Sequence, residues 1–350
     1  MRRDLLYIVA DDLRNELPAY GRQHMSTPHL DSLAGSSTVF DRAYCQLARC
    51  APSRMSFLTG RSPQTTRVLT SSPYFRHTAP AGSGAHHPTA DDWRTLPEHL
   101  KMSGWLTIGM GKLFPSNNNY DEPRSWSSER RYIGYDMQRC EQIADPRGGK
   151  HGPPTGTWCA LDGPSTQFID YNLSTYAMIA LDSIADERRT RRRVARPFCL
   201  MVGFIRPHGP WMLPSSAWRQ YPHVDSIRLP SERGAAYPTG APIVAAHSSS
   251  LWVPPQRYNQ SGHAELPGGV GNATKVDTSP TIQLEPSLVR EARLGYYAAI
   301  TWLDQQIGRL LARLEYHQFD SNTLVVLHGD HGYHLGEHGL WRKFNTFELS

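Results

Sequence analysis

The residues best suited to chemistry are one cysteine, a few carboxylates and a few cations, most of them sitting where a short apolar run ends. Cys50-Ala51-Pro52-Ser53-Arg54-Met55-Ser56-Phe57-Leu58-Thr59-Gly60-Arg61 is the densest such segment. A nearby cation stabilises a thiolate and so favours a reactive nucleophile. A buried structural cysteine at the start of a helix fits the same residues, and both readings stay open on residue types alone. Asp11-Asp12 follows the apolar run 5–10, and Asp330-His331 follows the run 323–327. Adjacent carboxylates at a strand end repel each other, and such oxygen donors suit a hard divalent ion, Ca²⁺ or Mg²⁺. Two solvated loop aspartates are the plainer alternative. His331, His334 and His338 have spacing compatible with zinc but lack the His-Glu-x-x-His order. Lys112 follows the run 105–110, His208 lies between Pro207 and Gly209 after the run 198–204, and Lys343 follows Gly336-Glu337-His338-Gly339. A single lysine is ordinarily a solvent-facing charge. What sets these apart is that each comes just after a buried-type strand or a tight loop.

Cys50, Pro52, Ser53, Arg54, Leu58, Thr59, Gly60 and Arg61 together match the signature of the type I sulfatases. The chain resembles that family over most of its length. Within the family it looks most like the iduronate-2-sulfatase branch. That resemblance rests on residues 5–13, on Phe204-Ile205-Arg206-Pro207-His208-Gly209-Pro210, and on Asp330-His331-Gly332-Tyr333-His334-Leu335-Gly336-Glu337-His338-Gly339. It implies that a formylglycine-generating enzyme converts Cys50 to Cα-formylglycine, whose hydrate supplies the attacking oxygen. It implies that Asp11, Asp12, Asp330 and His331 hold a Ca²⁺ (or Mg²⁺), with the modified Cys50 completing the shell. Arg54 would brace the formylglycine and the ion, and Lys112, His208 and Lys343 would contact the sulfate. Sulfate ester cleavage needs positive charge around the equatorial oxygens while an oxygen attacks in line, and these cations would supply it. The implied reaction is hydrolysis of a sulfated saccharide. One hydroxyl of the hydrate attacks sulfur, the alcohol leaves with a proton from His208 or Lys343, and the adduct collapses to release sulfate.

Two departures from the family pattern bear on activity. Family members place a histidine shortly after the lysine of the Gly-Lys motif, whereas here Gly111-Lys112-Leu113-Phe114 is followed by Pro115. General-base help is typically worth about 10²–10⁴ in rate, so another group substitutes or turnover is poor. Relatives also continue past the equivalent of Ser350 into a smaller sheet subdomain, so the C-terminal subdomain is expected to be missing. A truncated or degenerate homologue that is weak or inactive and binds sulfated polyanions is therefore the alternative. A phosphoryl-transfer relative would want Ser or Thr at position 50 and a two-metal ligand set.

The elements that must position these residues follow from hydrophobic pattern. The four runs 5–10, 105–110, 198–204 and 323–327 are short and apolar, as buried strands are. Residues 28–34 read as a helix with Thr27 as cap, Pro28 at the first position and Gly35 as stop. Residues 291–315 carry Leu294, Tyr297, Ile300, Leu303, Ile307, Leu310, Leu311 and Leu314 at 3- and 4-residue spacing, which predicts an amphipathic helix. Strands alternating with helices predict an α/β sandwich around a mainly parallel sheet, with the ligand beyond the strand C-termini. The resemblance implies the alkaline-phosphatase-like version of that sandwich. Residues 1–350 are then one N-terminal catalytic domain, with 230–286, rich in Gly, Pro, Ser and Ala, as a long irregular surface insertion.

Composition sets outer bounds. The 350 residues carry 37 Lys+Arg against 32 Asp+Glu, a net charge of +5. That is too weak to point to nucleic acid, and the basic run 187–193 reads as a solvated helix end, with a polyanion-binding patch as the alternative. No apolar run reaches the ~18 residues of a membrane span. The first apolar run is too short for a signal peptide and is followed by acidic residues. The family resemblance suggests a secreted or lysosomal protein, while the sequence leaves the compartment open. The five cysteines include Cys140 and Cys159, flanking a Pro/Gly-rich loop, either bridged or free. Sequons at Asn172, Asn259 and Asn272 permit glycosylation in a secreted chain.

Overall fold

The computed structural model describes residues 3–70, 76, 93–114, 121, 123–127, 158–190, 196–231, 234, 236–242, 245, 257–258, 264–265 and 286–350. Pro115, Cys140, Asn259, Asn272, the side chain of Cys159, part of the basic run and most of 230–286 lie outside them. In chain order the elements that matter here are β1 (Asp4–Asp11), α1 (Pro28–Gly35), α2 (Cys50–Thr59), α3 (Leu96–Met102), β2 (Leu106–Gly111), β3 (Trp158–Leu161), α4 (Ile169–Thr190), β4 (Phe198–Pro207), β5 (Trp211–Pro214), α5 (Pro286–Tyr316), β6 (Thr323–Gly329), β7 (His334–Leu335) and β8 (Trp341–Arg342). All four predicted strands form, with ends shifted by a few residues at most. The predicted 291–315 helix is longer at its N-terminus. No described helix is long and apolar enough to cross a membrane.

The four long strands form one parallel sheet in the order β2-β4-β1-β6. Strand alternation splits their side chains between two cores. Leu6, Ile8 and Ala10 of β1 join Leu200, Val202 and Phe204 of β4 under α4 and α5. Val9 of β1 joins Cys199 and Met201 of β4 on the opposite face, under Ala51, Met55 and Leu58 of α2. β4 is buried along its whole length because it is covered on both faces, as parallel sheets require. Gly203 near its end is set by close approach: a Cβ there would stand 2.0 Å from the Lys112 carbonyl oxygen. Only glycine lets the chain leaving β2 pass over β4 at that point.

β1 lies between β4 and β6, while the chain after β1 goes out to β2 on the far side of β4. This places a crevice at the C-terminal ends of β1, β4 and their neighbours, where such sheets bind ligands. The N-terminus of α1 differs from expectation. Thr27 makes no side-chain capping bond to the helix backbone. The Asp304 carboxylate of α5 accepts from the Leu30 N–H at 2.7 Å and the His29 N–H at 3.4 Å instead. Gly35 is the last helical residue, and Ser36 makes the closing bonds.

Candidate active site

β1 delivers two carboxylates in different directions because the backbone turns at Asp12, whose φ is 66°. Both are buried to within 1%. α2 then begins at Cys50 and presents its first turn to the same crevice, ending at Gly60 in the left-handed conformation. Arg54 lies one turn into α2 and is fully buried. Its Nε donates to Asp330 Oδ2 at 2.9 Å, and its Nη1 donates to the Lys112 carbonyl. Its Nη2 has no hydrogen-bond partner and stands 3.5 Å from Asp11 Oδ1. Ser53 donates to the Asp330 carbonyl, fastening α2 to the end of β6. Asp330 Oδ1 accepts from the backbone N–H groups of Asp12 and His331, both at 3.0 Å. The β7–β8 hairpin pairs Trp341 with Leu335 and carries Lys343 back over the sheet ends.

These elements converge on the Cys50 sulfur. Lys343 Nζ is 3.1 Å from it, His331 Nε2 3.3 Å, Asp11 Oδ1 3.5 Å and Lys112 Nζ 3.7 Å. Lys112 pairs with Asp11 Oδ2, and Lys343 Nζ donates to Asp12 Oδ1 at 2.6 Å. Cys50 is half-buried rather than sealed in a core. His208 Nδ1 bonds the Gly209 carbonyl at 2.6 Å, which a carbonyl can only accept, so Nδ1 carries the proton. Its other side joins Asp11, Asp12 and Cys50 in a group of donor atoms within 4.8 Å of one another. Asp11, Cys50, Asp330 and His331 form a second such group. The structure thus brings together Asp11, Asp12, Cys50, Arg54, Lys112, His208, Asp330, His331 and Lys343.

Charge pairing, not exposure, sets the protonation states here. Burial pushes the Asp11 carboxyl up, but Lys112, His208, Arg54 and Lys343 together hold it well below the usual carboxylate range. Burial likewise raises Asp12, and Lys343 and His208 bring it below its ordinary value. Lys343 is depressed by burial yet raised well above the ordinary lysine value, chiefly by Asp12. Burial depresses His331, but Asp330 and the Cys50 sulfur together outweigh it and lift the imidazole to about 9. For His208 burial dominates, and the ring falls to about 4 despite Asp12 and Asp11. The two lysines therefore neutralise carboxylates that could not otherwise be buried side by side. Three carboxylates, a histidine and a thiol position in this arrangement fit a hard divalent ion, which would take over that neutralising role.

The zinc-type spacing does not come together among the described residues. His331 faces the sulfur, while the His334 and His338 rings lie against Phe347 at 6.3 and 5.0 Å. Arg61, part of the motif, turns away and stacks its guanidinium 5.1 Å from the Trp93 ring centre. Tyr296 was invisible in the sequence: its hydroxyl donates to the Asp12 carbonyl at 2.6 Å. Only the apolar spacing of its helix was readable, and that pattern says nothing about one hydroxyl.

A parallel sheet with helices on both faces, and this set of side chains at its C-terminal edge, is the arrangement of alkaline-phosphatase-like hydrolases. The sulfatase family profile matches residues 3–348, and the chain belongs to that family. It is 31% identical to human iduronate 2-sulfatase over 357 aligned residues, covering 99% of this chain and 58% of the human protein. It is 26% identical to the choline-sulfatase of Rhizobium meliloti, covering 99% of this chain and 60% of that enzyme. The chain thus spans less than two thirds of the length of these relatives. Among solved structures, a phosphonate monoester hydrolase from Silicibacter pomeroyi superposes with a TM-score of 0.66 at 19% identity, covering 100% of this chain and 66% of that one. A sulfatase-like structure from Bacteroides fragilis gives 0.58 at 18% identity, covering 99% and 68%. These two likenesses establish the fold.

Proposed function

We propose that this chain is the N-terminal catalytic domain of a sulfuric ester hydrolase that removes sulfate from a sulfated saccharide, in the manner of an iduronate-2-sulfatase. The observation that carries the reading is the Cys50 sulfur at the start of α2, with Lys343, His331, Asp11 and Lys112 within 3.7 Å of it. Once oxidised by a formylglycine-generating enzyme, position 50 supplies a hydrated aldehyde, whose first hydroxyl attacks sulfur and whose second lets the enzyme release sulfate. Asp11, Asp12, Asp330 and His331 would hold a divalent ion, Ca²⁺ in our reading, which would supply positive charge toward that hydroxyl and the sulfate oxygens.

The chain's own residues do the rest. Lys112 and Lys343, whose ammonium groups lie 3.7 and 3.1 Å from the Cys50 sulfur, would bind the equatorial sulfate oxygens. Lys343, which holds its proton, hands one to the leaving alcohol. His208, whose Nδ1 is tied to the Gly209 carbonyl, lies with Asp11, Asp12 and Cys50 in one group of donor atoms within 4.8 Å of one another, where it would contact the sulfate. Arg54 Nη2, a buried donor without an acceptor, favours any oxygen placed within its reach, since an unmet buried donor costs about 1–3 kcal/mol. Mass spectrometry of the Cys50 peptide, after co-expression with a formylglycine-generating enzyme, should show thiol-to-aldehyde conversion. Cys50→Ala should abolish sulfate release from an aryl sulfate or a sulfated disaccharide, with folding intact by circular dichroism. Undiminished release would refute the assignment. EDTA should suppress turnover and Ca²⁺ should restore it; turnover indifferent to EDTA would remove the ion from the account. Pro115, standing where the family has a histidine, favours a second reading: a weak or inactive homologue that binds sulfated polyanions. In that case the converted protein binds such polymers and releases no sulfate.

A further inference from the structure

Asp12 is held in the left-handed region at φ 66°, where a residue with a side chain pays a conformational cost of order 1 kcal/mol or more. That turn separates the aims of the Asp11 and Asp12 carboxylates. Asp11 meets Lys112 and Arg54, while Asp12 meets Lys343 at 2.6 Å and His331 at 3.6 Å. Something must keep the strained turn in place. Its N–H is held by Asp330 Oδ1 at 3.0 Å. Its carbonyl is held by one side chain, Tyr296 of α5, whose hydroxyl donates at 2.6 Å and accepts from the Arg14 N–H at 3.0 Å. The hydroxyl thus bridges the Asp12 carbonyl and the Arg14 N–H two positions later. Tyr296 itself has no freedom. It is fully buried, stacks on Tyr333 with ring centres 5.6 Å apart, and meets Trp211 edge-on at 6.0 Å.

We propose that Tyr296 is a positioning residue for the site: its hydroxyl locks the left-handed Asp12 turn and so aims the Asp12 carboxylate into the ion- and sulfate-binding crevice. The inference rests on the functional reading above but concerns a residue that touches neither sulfur nor the candidate ligand atoms. The adjacent Tyr297 supplies a matched control. It is equally buried on the same helix, and its hydroxyl accepts from Arg293 Nε at 3.2 Å, away from Asp12.

The test compares full-length wild type, Tyr296→Phe and Tyr297→Phe, each keeping its ring and losing one hydroxyl. Ca²⁺ affinity by calorimetry should weaken about tenfold in Tyr296→Phe, the scale of one good hydrogen bond. In formylglycine-bearing protein, kcat on an aryl sulfate should fall about tenfold with KM changed less than about twofold. Melting temperature in EDTA should fall no more than in Tyr297→Phe, which should keep wild-type Ca²⁺ affinity and kcat. Equal effects of the two variants on affinity and kcat, or none from either, would overturn the proposal. A wild type that binds Ca²⁺ but releases no sulfate would defeat the functional reading alone, leaving the affinity comparison to decide. If the wild type shows neither property, a crystal structure of Tyr296→Phe decides: Asp12 relaxed to negative φ supports the positioning role, and an unmoved Asp12 overturns it.

Discussion

Arg14, Glu16, Arg293 and Glu337 form one buried charged cluster beside Tyr296; Asp11, Asp12, Arg54, Lys112, Asp330 and Lys343 form another beyond the Asp12 turn. In the first, every charge is met by forked, multiple bonds. Arg14 Nη1 reaches both oxygens of Glu337 at 3.1 Å, and its other nitrogens grip Glu16. Arg293 Nη1 adds Glu337 Oε1 at 2.8 Å and the Leu335 carbonyl at 3.0 Å, while the Leu335 N–H donates to Glu337 Oε2 at 2.7 Å. This cluster pins α5 and β1's exit to the β7 hairpin. In the second, two of the three cations are lysines, each gripping a carboxylate as a point charge, and the one arginine has a nitrogen without a hydrogen bond. Guanidinium forks fix geometry, whereas ammonium groups on flexible stems exchange partners. Buried charge alone does not mark a site. The second cluster differs in surrounding a half-buried cysteine and in holding its carboxylates largely with lysines.

The comparison can be broken by substitution. Arg54→Ala should have the largest effect, because it strips the buried Asp330 and Asp11 of their fixed cation. Breaking a buried pair by removing one partner costs about 3–5 kcal/mol, and urea unfolding should show a loss on that scale together with lost sulfate release. A stable Arg54→Ala protein would mean that the lysines alone carry the balance. Glu337→Gln should cost about 3 kcal/mol by the same measurement, while Ca²⁺ affinity stays near wild type. If Ca²⁺ binding is lost and stability is spared, the two clusters have the opposite roles.

The smallest effect sharpens the contrast through pH. Burial raises Glu16, but its bonds to His24 and Arg14 bring the folded carboxyl down to about 2 from an ordinary 4.5. The folded state then binds fewer protons than the unfolded one across that interval. The stabilisation is therefore complete above about pH 4.5 and is lost as pH falls through about 2. Melting temperature followed from pH 6 to pH 2 should decline less steeply in Glu16→Gln than in wild type. Parallel slopes would show that Glu16 is not a source of acid sensitivity.

Much of the sheet was legible because apolar runs such as 198–204 have only one way to satisfy both faces of a buried strand. The site was legible where polar residues follow those runs directly, as Asp11-Asp12 and Asp330-His331 do. Lys343 was harder, since it reaches the crevice through a hairpin of two-residue strands. The α1 cap was misread because a local threonine competes with Asp304, more than 270 residues away, and the distant carboxylate won. The zinc-type histidines share spacing but not direction, because they fall on a loop, a two-residue strand and a tight turn that no single period relates.

From the sequence alone came the strand and helix pattern, the family and the roster of candidate side chains, because each is written in residue types at short range. Which lysine meets which aspartate, that Arg54 holds Asp330 from 276 residues away, and that a tyrosine in an apolar helix steadies the Asp12 turn came only from the tertiary structure. Buried charges and strained backbone are governed by distances of a few ångströms between segments that no local pattern relates, and only the folded chain sets those distances.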